Sequence, residues 1–299
     1  MKKEISKRSG LFLSILLSLI FVSSPLAHAQ GQKNFLWLIK GKGNPVYVLG
    51  SIHFLKKDAY PLSRTIENAF DKSDMLAVEA NVDEVGQTDV LDLLDKAMYK
   101  NGDGIEKHLS ADTYAFVRRE ANRVGLPAEL INNQKPWFLG LTLESLELMK
   151  AGYDPDYGID KHFLARAEGK KQIVELESLD YQINLLAGFP DTEQELFLLY
   201  ALKDLEALNR DVDRLVEAWK AGNMRAMEGL MTKSITDERR FYPIYEKLII
   251  TRNRNMVTKI EDYLNSGRTY FVVVGAGHLI GSGGIIQLLK DKGYRVDQL

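Results

Sequence analysis

Two tetrapeptides of the form Gly-x-x-His stand at opposite ends of this 299-residue chain, each directly after an apolar run that reads as a β-strand. The first, Gly50-Ser51-Ile52-His53, follows Val46-Tyr47-Val48-Leu49. The second, Gly275-Ala276-Gly277-His278, follows Tyr270-Phe271-Val272-Val273-Val274. Neither chain end carries strands enough for a stable sheet of its own, which needs three or more with a covered face. The two ends are therefore expected to share one sheet. Its carboxyl edge, where open α/β sheets place their ligands, would then bring both histidines together.

The rest of the pattern fits around that sheet. Phe35-Leu36-Trp37-Leu38-Ile39 and the first motif strand, joined by Gly41, Gly43 and Asn44-Pro45, read as a hairpin. Pro61 opens a helix through Phe70, with Ile66, Ala69 and Phe70 on one face. Met75-Leu76-Ala77-Val78-Glu79 then reads as a buried strand, completing a strand–helix–strand unit of the parallel kind. Residues from about 88 to 170 read as helices broken at Asn101-Gly102-Asp103-Gly104, Gly125-Leu126-Pro127 and Asp154-Pro155. Gln172-Ile173-Val174-Glu175-Leu176 is a short strand. A long helix after Pro190 keeps Leu196, Leu199, Leu202, Leu205 and Leu208 on one stripe, and helical patterns continue to about Leu264. The second motif, a helix from about Gly283 to Lys290 and Tyr294-Arg295-Val296 close the chain. The fold class is α/β, with a central mixed, largely parallel sheet from both chain ends and a mostly helical middle section. No linker rich in Pro, Gly or Ser divides residues 30–299, which read as a single domain with a helical insertion.

Residues 1–29 read as a signal peptide. Lys2, Lys3, Lys7 and Arg8 precede a short apolar core from Leu11 to Val22, and Ala27-His28-Ala29 supplies a small-x-small cleavage site before Gln30. The core falls short of the ~20 residues that a membrane span needs, so no integral span is expected after cleavage, and a periplasmic or secreted location follows. An uncleaved anchor is the alternative. The chain has a net charge of −2, and loss of the basic leader makes it more acidic. That argues against nucleic acid as a partner, since phosphates call for concentrated basic surface. With no cysteine there is neither a disulfide nor a thiol nucleophile.

His53 and His278 are the candidate metal ligands, since neutral imidazole is the commonest nitrogen ligand for a divalent ion. Glu79 ends an apolar strand, where a carboxylate is costly without a cation or hydrogen-bond donors. It is read as a third ligand, as a general base, or as a strand-end partner of a nearby Arg or Lys. Arg252 and Asn253 lie before the last motif strand. Arg252 is read either as an oxyanion-stabilising group or as part of a solvated basic face. Asp160, Glu175 and Glu177 are further acids for which solvated or capping roles are expected. The glycines after Val274 match neither a dinucleotide fingerprint nor a Walker loop, and HExxH and GxSxG do not occur.

Gly50-Ser51-Ile52-His53, Leu76-Ala77-Val78-Glu79, Arg252-Asn253 and Val274-Gly275-Ala276-Gly277-His278-Leu279, with Gly281 and Gly284, resemble the TraB/GumN family. Tyr157-Gly158-Ile159-Asp160 and Glu175-Leu176-Glu177 are similar to its middle section. That family is similar to the Tiki metal-dependent proteases. The resemblance implies a hydrolase, most naturally a peptidase acting on a peptide or protein. Its divalent ion (Mn²⁺, Co²⁺ or Zn²⁺) would be held by His53, Glu79 and His278, with Glu79, Arg252 and Asn253 as catalytic residues. The alternative is a non-catalytic protein that sequesters a peptide or small ligand in the same cleft. Unlike the Tiki proteins, which are membrane-anchored, this chain shows only a cleavable leader.

Overall fold

Six strands build one sheet: β1 (Leu36–Lys40), β2 (Val46–Ser51), β3 (Met75–Val78), β4 (Gln172–Glu175), β5 (Tyr270–Gly275) and β6 (Arg295–Gln298). They are seen in a computed structural model that describes residues 33–84 and 86–299. The expected leader and its cleavage site lie outside the described residues. The strand order is β4-β3-β5-β2-β1-β6. The four neighbours β4, β3, β5 and β2 run parallel, and β1 pairs antiparallel with both β2 and β6. Only β1 runs against the rest, so the sheet is mixed and largely parallel, drawn mostly from the two chain ends.

β5 occupies the centre, and Tyr270 to Val274 are buried throughout. A strand covered on both faces must read as a continuous apolar run, which is what this sequence supplies. The edge strands β4 and β6 are partly exposed and more polar. Register sets Ser51 opposite Gly275 and Val78 opposite Val273. The carboxyl ends of β3, β5 and β2 therefore finish side by side.

Helix Arg64–Asp71 starts three residues later than Pro61, because Ser63 is its cap: the Ser63 Oγ accepts the Ile66 N–H at 3.3 Å. This helix and helix Ile159–Ala167 cover one sheet face, setting Phe70 and Phe163 against Phe271 with ring centroids 5.5 and 4.8 Å away. The helical middle carries two apolar clusters of its own. One gathers Ile105, Val117, Leu139, Leu143, Leu198 and Leu202, the other Ala97, Trp137, Phe189, Phe197 and Ile244.

The long helix Asp191–Lys220 buries Phe197, Leu198, Ala201, Leu202 and Leu205, whereas Leu196 and Leu199 are only half-buried. A stripe drawn every third residue drifts off a face whose true period is 3.6, so the expected Leu196–Leu199 start of the stripe sits at its margin. Helix Pro136–Lys150 crosses the long helix at Gly140, where a Cβ would lie 3.2 Å from both Ala201 Cβ and the Phe197 ring. No described helix is long and apolar enough to cross a membrane.

Candidate functional site

The turn after β2 carries His53 and is fixed from several sides. Trp219, near the end of the long helix, donates its indole N–H to the Gly50 carbonyl at 2.7 Å. Ile159 N–H donates to the Ile52 carbonyl at 3.1 Å. Gly158 packs so closely on the His53 carbonyl oxygen that a Cβ there would collide with it. The helix starting at Ile159 thereby brings Asp160 Oδ2 to 2.7 Å from His53 Nδ1. An ionised carboxylate only accepts, so Nδ1 bears the hydrogen and Nε2 is left free. The His53 side chain is 63% exposed and Asp160 16%.

His278 reaches the same arrangement from different partners. It sits in a 3₁₀ turn directly after β5, with its side chain 5% exposed. Its Nδ1 lies 2.6 Å from Asn253 Oδ1, and the Asn253 amide nitrogen donates to the Gly283 carbonyl at 2.8 Å. The second bond assigns the amide oxygen to the ring side. Nδ1 is therefore the donor once more. The free Nε2 lies 3.7 Å from Glu79 Oε1.

Glu79 follows β3 by one residue. Its Oε1 accepts the Gly275 N–H at 2.5 Å, and its Oε2 accepts Arg252 Nη2 at 2.9 Å and Gln182 Nε2 at 3.4 Å. Arg252 in turn binds Glu177, through Nη2 at 2.7 Å and Nε at 2.9 Å, and donates Nη1 to the Leu248 carbonyl at 3.0 Å. A π-helical turn, Glu246–Thr251, leads into the helix that starts at Arg252. Beyond the strand ends, Glu177 N–H donates to the Glu79 carbonyl at 2.7 Å, which extends the parallel pairing and aligns the two acids.

All three candidate ligands surround one point. A Cβ built on Gly275 would stand 3.2 Å from Glu79 Oε1, 3.6 Å from His278 Cδ2 and 3.8 Å from His53 Nε2. Glycine keeps that space open. The electrostatics differ sharply from group to group. The Asp160 carboxylate is the main cause that pulls His53 up to about 9. Burial holds His278 below its ordinary value, against the pull of Glu79. Burial also works against the Glu79 carboxylate, but His278, Arg252, His53 and the Gly275 N–H outweigh it and hold the group down at about 2.

These contacts bring His53, Glu79 and His278 to one edge, with Asn253 bound to His278 and Arg252 bound to Glu79. Two acids expected in solvated or capping roles are instead wired into the site: Asp160 through His53, and Glu177 through Arg252. Glu175 keeps a capping role, accepting the Asn81 N–H at 2.5 Å. The available sequence signal for Asp160 and Glu177 was the pair of middle-section motifs, Tyr157–Asp160 and Glu175–Glu177.

The donor chemistry suits a divalent ion. Both imidazoles have Nδ1 engaged by an oxygen, the outer-shell pattern of metal-ligating histidine, and Nε2 left open. The 3.7 Å between His278 Nε2 and Glu79 Oε1 can be bridged by bonds of about 2 Å. Among the described residues, however, no three His, Cys, Asp or Glu side chains form a ready-made metal cage. His278 and Glu79 fit as they stand, while His53 is the exposed third donor beside them.

The chain is similar to the uncharacterized protein YbaP of Escherichia coli (strain K12), 27% identical over 245 residues that cover 82% of this chain and 87% of that protein. It is similar to Metalloprotease TIKI2 of Danio rerio, 21% identical over 319 residues covering 90% of this chain and 61% of the relative. Metalloprotease TIKI homolog of Amphimedon queenslandica is 27% identical over 167 residues, covering 54% of this chain and 30% of its own. No solved structure matches the chain. The family model for TraB/PrgY/gumN matches residues 35–298, from the start of the sheet to its last strand, and the protein belongs to that family.

Proposed function

We propose that the protein is an exported metal-dependent peptidase, periplasmic or secreted after loss of residues 1–29, with residues 30–299 forming one catalytic domain. The observation that carries this reading is the paired constraint on His53 and His278. Each ring is pinned at Nδ1 by a separate oxygen; His53 leaves Nε2 beside Gly275, and His278 leaves Nε2 beside Glu79, whose Oε1 stands at the same glycine. The TIKI relatives named as metalloproteases support the choice of a peptide or protein substrate.

His53, His278 and Glu79 would hold the ion, whether Mn²⁺, Co²⁺ or Zn²⁺. When bound it supplies Lewis-acid polarisation of a carbonyl and lowers the pKa of water. Of the two roles open to Glu79, ligand is favoured over general base. A base works best with a pKa near the operating pH, and a carboxylate held at about 2 has little tendency to take a proton there. Arg252 has most of its donors committed to Glu177, Glu79 and Leu248, so it acts as a positioning residue that keeps Glu79 ionised and in place. Asn253 fixes the His278 tautomer, and Asp160 does the same for His53.

The test is metal content and cleavage measured together. Purified mature protein should gain peptidase activity on a peptide library with one of the three ions and lose it with a chelator. His53→Ala and His278→Ala should reduce bound metal. Unchanged metal content in both variants removes the proposed centre. Peptide binding that is insensitive to chelator, with no cleavage under any ion, would establish the sequestering alternative instead.

A further inference from the structure

Beside the His53 turn lies a second concavity of about 690 Å³, lined by Lys57, Tyr60, Tyr157, Lys161, Arg166 and Lys170. His162 completes its wall, and Asp156 is the acid among its lining residues. It is built from the two segments that hold the His53–Asp160 pair. Lys57 lies in the chain that leaves His53. Tyr157 immediately precedes Gly158, and Lys161 and Arg166 stand on the helix that presents Asp160. The Tyr60 hydroxyl ties the two walls together by donating to the Tyr157 carbonyl at 2.8 Å.

The cations here are not all accounted for. Lys161 pairs with Asp156 at 2.6 Å, and Arg166 pairs with Asp71 at 2.6 Å and with Glu67. Lys57 and Lys170 reach no acceptor among the described residues. The walls between them are aromatic: the Tyr60 ring lies 5.0 Å from the His162 ring and 6.5 Å from the Tyr157 ring. Unpaired ammonium groups and aromatic rings lining one cavity suit a carboxylate carried on an apolar stem. The volume exceeds what a single oxyanion fills.

We infer that this cavity is a binding subsite for an acidic segment of a polypeptide, next to the catalytic edge. Lys57 and Lys170 engage its carboxylates, and Tyr60, Tyr157 and His162 cover the side-chain stems. Lys161 and Arg166 add positive potential without leaving their partners. Describing the bound segment as substrate rests on the peptidase reading, but the binding itself does not.

The experiment uses the full mature chain free of metal and a fluorescein-labelled Glu-rich octapeptide, read by fluorescence anisotropy. The same peptide with Gln at every Glu position is the neutral control, and inorganic phosphate is the competitor. The acidic peptide should bind about tenfold or more tighter than the neutral one and weaken as salt rises. The double variant Lys57→Glu, Lys170→Glu should lose about tenfold or more in affinity, with its melting temperature unchanged. Equal affinity for the two peptides, or unaltered affinity in the double variant, overturns the proposal. So does complete displacement by phosphate at concentrations below that of the peptide, which would mark a site for a free oxyanion. Because no metal is present, loss of peptide binding refutes this subsite alone. Absence of cleavage once Mn²⁺, Co²⁺ or Zn²⁺ is added back, with binding intact, refutes the peptidase reading alone.

Discussion

At the scale of single residues, the site separates the two histidines by protonation as well as by position. His53 is pulled up to about 9, chiefly by Asp160, so it carries a proton at neutral pH. His278 is held below its ordinary value by burial and is neutral there. On the proposed metal-site reading, an ion would have to displace the proton from His53 but would find His278 ready. The sign follows directly. Apparent metal affinity should rise with pH, by about tenfold per unit below the His53 pKa, and level off above about 9. Asp160→Asn removes the main cause that raises His53, so the rise should end at lower pH. Titration calorimetry with Mn²⁺ at steps from pH 7 to 8.5 measures both slopes. A flat wild-type profile, or equal slopes in the two proteins, would show that Asp160 does not set the charge of His53.

At the scale of elements, the site depends on how one helix start meets one strand end. Gly158 has no room for a Cβ because the His53 carbonyl, a backbone group, fills that space. Gly158→Ala should push helix Ile159–Ala167 away from the turn and draw Asp160 off His53. Metal affinity should then fall about tenfold or more, the usual cost of losing an outer-shell partner. Its pH profile should move toward that of Asp160→Asn. Wild-type affinity in Gly158→Ala would mean that Asp160 is held by something else.

This contact also marks the limit of what the sequence revealed. The strands, their shared sheet and the His53–Glu79–His278 edge were legible, because apolar runs and Gly-x-x-His are local patterns. The partners of those residues were not. Asp160 meets His53 across 107 positions, and Glu177 meets Arg252 across 75, and no periodicity encodes either distance. Arg252 looked available to a substrate for the same reason: its neighbours in sequence say nothing of the two carboxylates that hold it. The long-helix stripe misled in a simpler way, since a three-residue spacing imitates the helical period for only two turns.

For the whole molecule, the decisive fact is that β5 arrives last among the central strands and lies between β3 and β2. Val46 pairs opposite Tyr270 and Met75 also pairs opposite Tyr270, so both early strands wait for the end of the chain. Such long-range parallel pairing folds slowly, because loop closure precedes the contacts that reward it. It also implies that the two chain ends unfold together. Val272 is fully buried at the middle of β5 and faces residues of both neighbours in register. Val272→Ala should cost about 2 kcal/mol of stability through the cavity it leaves. That corresponds to about a thirtyfold increase in the opening equilibrium. If the sheet is one cooperative unit, amide exchange in β2 and β3 should accelerate by the same factor as in β5, while the partly exposed edge strands β4 and β6 exchange faster throughout. Acceleration confined to β5 would mean that the early strands hold together without it, and that the Gly-x-x-His edges are joined by docking rather than by a common core.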